Sequence, residues 1–231
     1  MEVVDIAPID VGTNSALQRK ALAFGDEGIF LGGPPKAFHA VGCNQLITLL
    51  ECGLMPDHHV LDVGCGCLRG GFWLIHFLDP DRYYGIEPNR EMVALGLEQF
   101  VPTRTVAAKR PTFDHNSNFD FGVFGRHFDY VLARSVWTHA APAQIEKMLD
   151  QFLAWSAPGA SLVTSYLKAG SPNEHYAGDD WVGRSHASNT PGMVRYTPDW
   201  ITRICSRRHL RVRELRRPLN DQTWLLIDRH S

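Results

Sequence analysis

A glycine-rich loop carries the clearest chemical pattern in the sequence. The stretch VLDVGCGCLRGG, residues 60–71, joins a short apolar strand to a helix and contains Gly64, Gly66 and Gly70. Glycine lets the backbone approach a ligand closely, and the amides that begin the following helix can face a polar group. The pattern predicts a cofactor loop. Arg69 replaces the third glycine of the dinucleotide fingerprint GxGxxG, which makes an NAD-dependent dehydrogenase a distant alternative.

A carboxylate follows the next predicted strand. In YYGIEPN, residues 83–89, Glu87 comes at the carboxyl end of the strand. Because ligands of open parallel sheets bind outside the carboxyl ends of the strands, we expect Glu87 beside the glycine loop. Its two oxygens can accept hydrogen bonds from both hydroxyls of a ribose. The spacing of one strand-helix unit from the loop favours this role over that of a solvated surface glutamate.

Alternating strand and helix patterns must position these residues, and they predict a mostly parallel sheet. The predicted strands are residues 59–63, 82–87, 128–133, 160–166, 210–215 and 223–228, with a further interrupted strand within 112–121. The predicted helices are residues 71–78, 89–100, 142–156 and 198–208. Asn89, Pro142 and the run Thr197-Pro198-Asp199 are typical helix starts.

We predict one domain, residues 1–231, in four parts. Residues 1–55 form an N-terminal helical cap: irregular chain, a Gly-Gly-Pro-Pro turn at 32–35, and a helix at 36–51. Residues 56–167 form the cofactor-binding core, and residues 198–231 a C-terminal helix and strand pair. Residues 168–197 lack periodicity, and so long an irregular segment in a compact domain is typical of a substrate loop or lid.

Composition narrows the class of protein. The formal net charge is −2, which gives no general attraction to nucleic acid or anionic membranes. The sequence has no long apolar run and an acidic N-terminus without a signal-peptide pattern, so we expect a cytoplasmic enzyme. Five cysteines are an odd number in apolar surroundings, which argues against a disulfide framework.

Four stretches in order resemble the successive motifs of class I S-adenosylmethionine-dependent methyltransferases. They are VLDVGCGCLRGG, YYGIEPN, FDYVLARSVWTHA and SAPGASLVTSY, and the resemblance is close over residues 60–166. It implies a Rossmann-like α/β fold, doubly wound, with a seven-stranded sheet of order 3-2-1-4-5-7-6, strand 7 antiparallel and helices on both faces. It also implies S-adenosyl-L-methionine as the cofactor.

The resemblance further implies residue roles. Asp62, Gly64 and Gly66 would line the methionine part of the cofactor, Glu87 would hold the ribose, and Asp120 with Phe121 would lie near the adenine. Three more residues complete the candidate cofactor-binding set: Cys65, Arg69 and Arg134. Arg69 either meets the cofactor carboxylate or anchors the loop by bonding carbonyl oxygens.

A methyl group on a sulfonium is already activated, so alignment with the acceptor carries much of the acceleration. A hydroxyl acceptor would also gain from a general base. We expect candidate bases after strands 4 and 5, where the sequence has His139, Tyr166 and His175. Packing or solvated-loop roles are the alternatives for each. Candidate contacts to a small organic acceptor are His39, Trp137, Tyr176, Trp181, His186 and Arg195.

No metal is expected, because Cys65 and Cys67 lie too close together for a zinc pair and Ala133-Arg134-Ser135 offers no carboxylate ligand. The leading prediction is methyl transfer to an O or N atom of a small acceptor. Two alternatives remain: an RNA methyltransferase that uses the arginines within residues 203–217, and a non-catalytic module that binds S-adenosylmethionine. The sequence does not determine the acceptor or the oligomeric state.

Overall fold

A computed structural model describes residues 15–185, 187–215 and 222–229. The strands are β1 (Val60–Val63), β2 (Tyr83–Ile86), β3 (Thr112–Asp114), β4 (Phe128–Ala133), β5 (Ser156–Tyr166), β6 (Leu210–Leu215) and β7 (Thr223–Arg229). The helices are α1 (Ala16–Asp26), α2 (Phe38–Glu51), α3 (Gly71–Phe77), α4 (Arg90–Gln99), α5 (Thr103–Lys109), α6 (Pro142–Trp155) and α7 (Pro198–Ser206). Three short 3₁₀ turns lie at Pro35–Ala37, Phe121–Phe124 and Pro172–Glu174.

The strands form one seven-stranded sheet of order β3-β2-β1-β4-β5-β7-β6. β1 pairs in parallel with β2 and β4, and β7 pairs antiparallel with β5 and β6. The predicted fold class and strand order are therefore confirmed. Parallel strands place the carboxyl ends of β1, β2, β4 and β5 at one edge of the sheet, and the antiparallel β7 begins at that same edge.

Apolar side chains cover both faces of the sheet. One core cluster includes Phe128, Trp137, Phe152 and Trp200, and the other includes Leu74, Tyr83 and Trp224. A third cluster joins α1 and α2 to the core through Ala21, Leu31, Phe38, Cys67 and Phe100. Since Cys67 belongs to the glycine loop, the N-terminal cap packs directly on that loop.

Some predicted element boundaries were wrong. Residues 16–26, predicted to be irregular, form α1, whose N-cap Ser15 accepts a hydrogen bond from the Gln18 amide at 3.0 Å. α5 was not predicted; it is short and has no buried residue, so its sequence carries no apolar stripe. The interrupted third strand is only β3, three residues long. No helix among the described residues combines the length and apolarity needed to cross a membrane.

Candidate functional site

The glycine loop leaves β1 through backbone conformations that disfavour side chains. Gly64 and Gly66 have φ angles of 71° and 54°, and Leu68 has a φ of 62°. A Cβ atom on Gly64 would lie 2.8 Å from Cγ2 of Val136, which follows β4. Glycine at these positions therefore serves both the turn and the close approach of the β4 end.

Two helices contact the backbone of this loop. A Cβ on Gly42 of α2 would lie 2.2 Å from the Arg69 carbonyl oxygen, and one on Gly96 of α4 would lie 2.6 Å from that of Cys67. Both helices thus approach the loop more closely than any side chain would permit. The loop is held between α2 and α4 by backbone packing.

Glu87 lies beside the loop, as expected. Its Oε2 accepts a hydrogen bond from the Gly66 amide at 3.1 Å, and its Oε1 accepts one from the Asn89 amide at 3.0 Å. Asn89 in turn caps α4 with its side chain, as predicted. Each carboxylate oxygen can accept more than one hydrogen bond, so Glu87 retains the capacity to bind a pair of hydroxyls.

Asp62 lies at the base of the loop and is 3% exposed. Its Oδ2 accepts a hydrogen bond from the Tyr83 hydroxyl at 2.8 Å. Burial raises the pKa of Asp62 to about 7, the nearby Glu87 charge adds to this, and the Tyr83 bond opposes it. Cys65 is also buried, which raises the pKa of its thiol well above the usual value. Neither group is a solvated surface residue.

Arg69 anchors the loop to the N-terminal cap. Its Nη2 donates a hydrogen bond to the Leu31 carbonyl at 3.1 Å, and its guanidinium lies 5.1 Å from the centre of the Phe38 ring. The Cys67 thiol bonds the same Leu31 carbonyl at 3.2 Å. Two roles were predicted for Arg69, and the structure shows the one in which it anchors the loop through a backbone carbonyl. A contact with the cofactor stays a prediction.

The predicted adenine residues follow β3. The Asp120 carboxylate accepts a hydrogen bond from the Gly122 amide at 2.9 Å and begins the 3₁₀ turn. The ring of Phe121 is fully buried in the core, and its amide donates to Gln151 Oε1 at 3.0 Å. A contact of either residue with the adenine stays a prediction.

A polar network joins the ends of β4, β5 and β7. Arg134 donates to Ser165 Oγ at 3.3 Å and to Gln222 Oε1. Ser135, with a φ of 61°, donates its amide to Ser165 Oγ at 2.9 Å and accepts from Gln222 Nε2 at 3.0 Å. The sequence analysis missed Ser165 and Gln222, because only strand pairing brings them to the β4 end.

Trp137 was predicted to contact the acceptor, and the structure places it in the core. Its side chain is fully buried, and its indole N–H points to the Met148 sulfur at 3.3 Å on α6. The residue that follows β4 and faces the glycine loop is its neighbour Val136. The pattern of residue types did not distinguish these two neighbours.

His139 holds the long loop rather than standing free. Its Nδ1 lies 2.7 Å from the Val182 carbonyl, and its ring stacks on Trp181 at a centroid distance of 5.7 Å. A Cβ on Gly183 would lie 2.3 Å from the same Nδ1. Burial lowers the pKa of His139, although backbone bonds to Val182 and Gly192 oppose this. Because a carbonyl oxygen can only accept, His139 donates from Nδ1.

The other two candidate bases also have structural surroundings. Tyr166 is 1% exposed, and burial together with Glu214 raises its pKa to about 12. His175 Nδ1 accepts the Thr197 amide at 3.2 Å, so its proton lies on Nε2. Thr197 precedes α7 as predicted, but its hydroxyl makes no capping bond to the helix. Neither group is an unengaged base at neutral pH.

The remaining acceptor candidates do not converge on one point. His39 binds the Ser15 hydroxyl at 2.5 Å between α1 and α2. The Tyr176 hydroxyl donates to the Asp180 carbonyl at 2.9 Å, and Arg195 donates to the Lys168 carbonyl at 3.0 Å. Both bonds stabilise the long loop. His186 lies outside the described residues.

Within the described part of the chain, no three His, Cys, Asp or Glu side chains come together as a metal site. The glycine loop and Glu87, at the ends of β1 and β2, lie along the same edge of the sheet as the polar network at the ends of β4 and β5. The long loop is fastened to the segment that follows β4, where the Val194 amide donates to the Thr138 carbonyl at 2.8 Å.

Comparison with known proteins agrees with this arrangement. Residues 61–162 match a family model described as a methyltransferase domain. The DhpI complex with S-adenosylhomocysteine is 14% identical, with 92% of this chain and 97% of that chain covered and a TM-score of 0.60. Magnesium protoporphyrin IX methyltransferase from Synechocystis PCC 6803 is 16% identical, with 94% and 96% covered and a TM-score of 0.59. The glycopeptide N-methyltransferase MtfA is 12% identical, with 82% and 90% covered and a TM-score of 0.61. Likeness at these identities establishes a shared fold alone.

Proposed function

We propose, on the premise that residues 61–162 match a methyltransferase domain, that the chain is a class I S-adenosylmethionine-dependent enzyme. We further propose that it methylates an O or N atom of a small organic acceptor without a metal ion. The observation that carries the proposal is the pairing of the glycine loop with Glu87, whose carboxylate lies 3.1 Å from the Gly66 amide. Gly64 and Gly66 place the loop backbone at the carboxyl end of β1, where ligands of open parallel sheets bind, and Glu87 can bind a ribose there.

S-adenosylmethionine supplies a methyl group that its sulfonium already activates. The protein's contribution is then to hold the acceptor in line and to exclude water. His139 donates from Nδ1 and keeps Nε2 as an acceptor atom. The other two candidate bases favour this reading, because the pKa of Tyr166 is raised to about 12 and His175 Nδ1 already accepts the Thr197 amide. Replacing either of them is expected to lower kcat by less than the 10²- to 10⁴-fold typical of a lost general base.

The arginines of residues 203–217 support a small acceptor over RNA. Arg207 and Arg208 form ion pairs with Glu146, and Arg208 also binds Asp150. Arg211 and Arg213 share one further carboxylate, that of Asp228. Arginines that neutralise carboxylates of their own chain have less charge to offer to phosphates. Arg216 and Arg217 lie outside the described residues.

Calorimetric titration with S-adenosylmethionine and S-adenosylhomocysteine tests the cofactor, with NAD as the negative control. Glu87→Gln keeps the size of the side chain but removes its charge. It is expected to weaken binding about tenfold or more, since a hydrogen bond to a charged group contributes about 1.5–3 kcal/mol. Glu98→Gln, on the exposed face of α4, is the matched control and is expected to bind like the wild type.

The proposal would be contradicted if the wild-type protein binds neither sulfur compound although its thermal unfolding transition shows that it is folded. Once the cofactor binds, labelled methyl transfer to a panel of phenols, carboxylic acids and amines distinguishes catalysis from a non-catalytic binding module. The same assay with tRNA at two salt concentrations tests the RNA alternative, because binding to phosphates weakens steeply with salt. Turnover that is lost with a chelator would contradict metal independence.

A further inference from the structure

An exposed phenyl ring belongs to a segment that is bound to the glycine loop. The segment GIFLGG, residues 28–33, connects α1 to the Pro35–Ala37 turn. Within it Phe30 is 60% exposed, whereas its neighbour Leu31 is 1% exposed in the cluster that joins the cap to the core. Leu31 anchors the segment, and Phe30 is held in the solvent.

The segment is bound to the glycine loop. The Leu31 carbonyl accepts hydrogen bonds from both Arg69 and Cys67 of the loop, at 3.1 and 3.2 Å. Cβ atoms built on Gly32 and on Gly66 would each lie 3.5 Å from the methyl carbon of Met92. Gly32 and Gly66 therefore have the same neighbour, Met92, and the Gly66 amide binds Glu87. Phe30 is two residues before Gly32.

The backbone gives this segment a defined shape. Gly28, Gly32 and Gly33 have φ angles of 78°, 73° and 148°, which residues with a Cβ rarely adopt. A Cβ on Gly33 would also lie 3.0 Å from the Arg69 guanidinium. Such a conformation, together with the two bonds to the Leu31 carbonyl, fixes the segment that carries Phe30 on the loop.

We propose that Phe30 is a cofactor-contacting residue, whose ring covers S-adenosylmethionine on the side of the N-terminal cap. The inference rests on the proposed function, because it takes the glycine loop and Glu87 as the cofactor site. A nucleoside ring and the methylene groups of the cofactor offer the apolar surface that a phenyl ring can cover. The occupant is the cofactor rather than the acceptor, because every contact of the segment described above is with the loop Cys67–Arg69 or with Met92.

Titration of the full-length protein with S-adenosylhomocysteine tests the proposal. Phe30→Ala is expected to weaken binding about tenfold. This is the loss in affinity expected if the ligand buries about half of the apolar area of the ring, which alanine lacks. Phe30→Leu is expected to lose less, because it keeps part of that area. Met55→Ala is the matched control: Met55 is 55% exposed but precedes β1, towards the opposite edge of the sheet, so its affinity should equal that of the wild type.

Thermal unfolding without ligand verifies that each variant folds, which is expected since Phe30 is mostly in the solvent. If the wild type binds and Phe30→Ala binds equally well, the inference is wrong while the proposed function stands. If the wild type does not bind, both are wrong. An equal loss in Met55→Ala would also overturn the inference, because the effect would then not depend on position.

Discussion

Gly42→Ala is the substitution whose effect follows most directly from the structure. The new Cβ would lie 2.2 Å from the Arg69 carbonyl oxygen and 2.9 Å from Trp73 Nε1. Since non-bonded heavy atoms prefer about 3.5 Å, α2 must move about 1 Å away from the loop. Overpacking costs about 1–3 kcal/mol, and we expect a cost of about 3 kcal/mol here because the group in the way is a backbone carbonyl rather than a flexible side chain. Alanine regains about 1 kcal/mol in helix propensity, so the free energy of unfolding should fall by about 2 kcal/mol.

For a chain of this length, that loss corresponds to a Tm lower by about 4–8 °C, which differential scanning calorimetry can measure. Gly170→Ala is the control, because its Cβ would meet only the flexible Glu174 carboxylate at 3.4 Å. We expect it to unfold within about 1 °C of the wild type. The displaced loop should also weaken binding of S-adenosylhomocysteine in Gly42→Ala. A Gly42→Ala protein with the wild-type Tm would refute the backbone packing described for α2.

Three further outcomes are expected. The pKa of Asp62 is about 7 in the folded state and about 3.9 in the unfolded state, so the stability that its protonated form contributes is complete below pH 4 and is lost as the pH rises through 7. Asparagine does not titrate, so the free energy of urea unfolding of Asp62→Asn, relative to the wild type, should be about 3 kcal/mol higher at pH 8 than at pH 5. His139→Ala should speed tryptic cleavage after Arg184 in the long loop, because it removes the bond to the Val182 carbonyl. His139→Asn should not, because its amide nitrogen can take the place of Nδ1. Equal cleavage rates in His139→Ala and the wild type would contradict the anchoring role. Arg208→Ala should lower the free energy of unfolding by about 1 kcal/mol, because it removes ion pairs to Glu146 and Asp150. The loss should be smaller at high salt, which screens these charges. An unchanged midpoint of urea unfolding would mean that the pairs do not contribute to stability.

Local signals in the sequence were sufficient for most of the fold. The β4 and β6 boundaries agree with prediction, Asn89 caps α4, and Pro142 begins α6. Each of these depends on residues near one another along the chain, where alternation, caps and proline act directly. α1 was missed because only Gln18 and Ala21 are buried along it, which leaves the apolar stripe too faint to recognise.

Positions at the end of β4 required the tertiary structure. Trp137 and Val136 are adjacent, and only the packing of α6 decides that the first enters the core while the second approaches Gly64. Gln222 reaches Arg134 and Ser135 across 88 and 87 residues through the antiparallel pairing of β7. Side-chain direction at such points is set by long-range neighbours, which residue types alone do not specify.

The sequence by itself indicated the glycine loop, the acidic end of β2 and a mostly parallel sheet, because glycine conformation and strand-helix alternation are local properties carried by residue type. The strand order was implied by the resemblance of its motifs to those of class I methyltransferases. Only the tertiary structure decided how these parts are held: that Arg69 binds Leu31, that His139 fastens the long loop, and that Phe30 is exposed next to the buried Leu31. Those roles depend on distances between segments far apart in the chain, and packing and strand register set those distances.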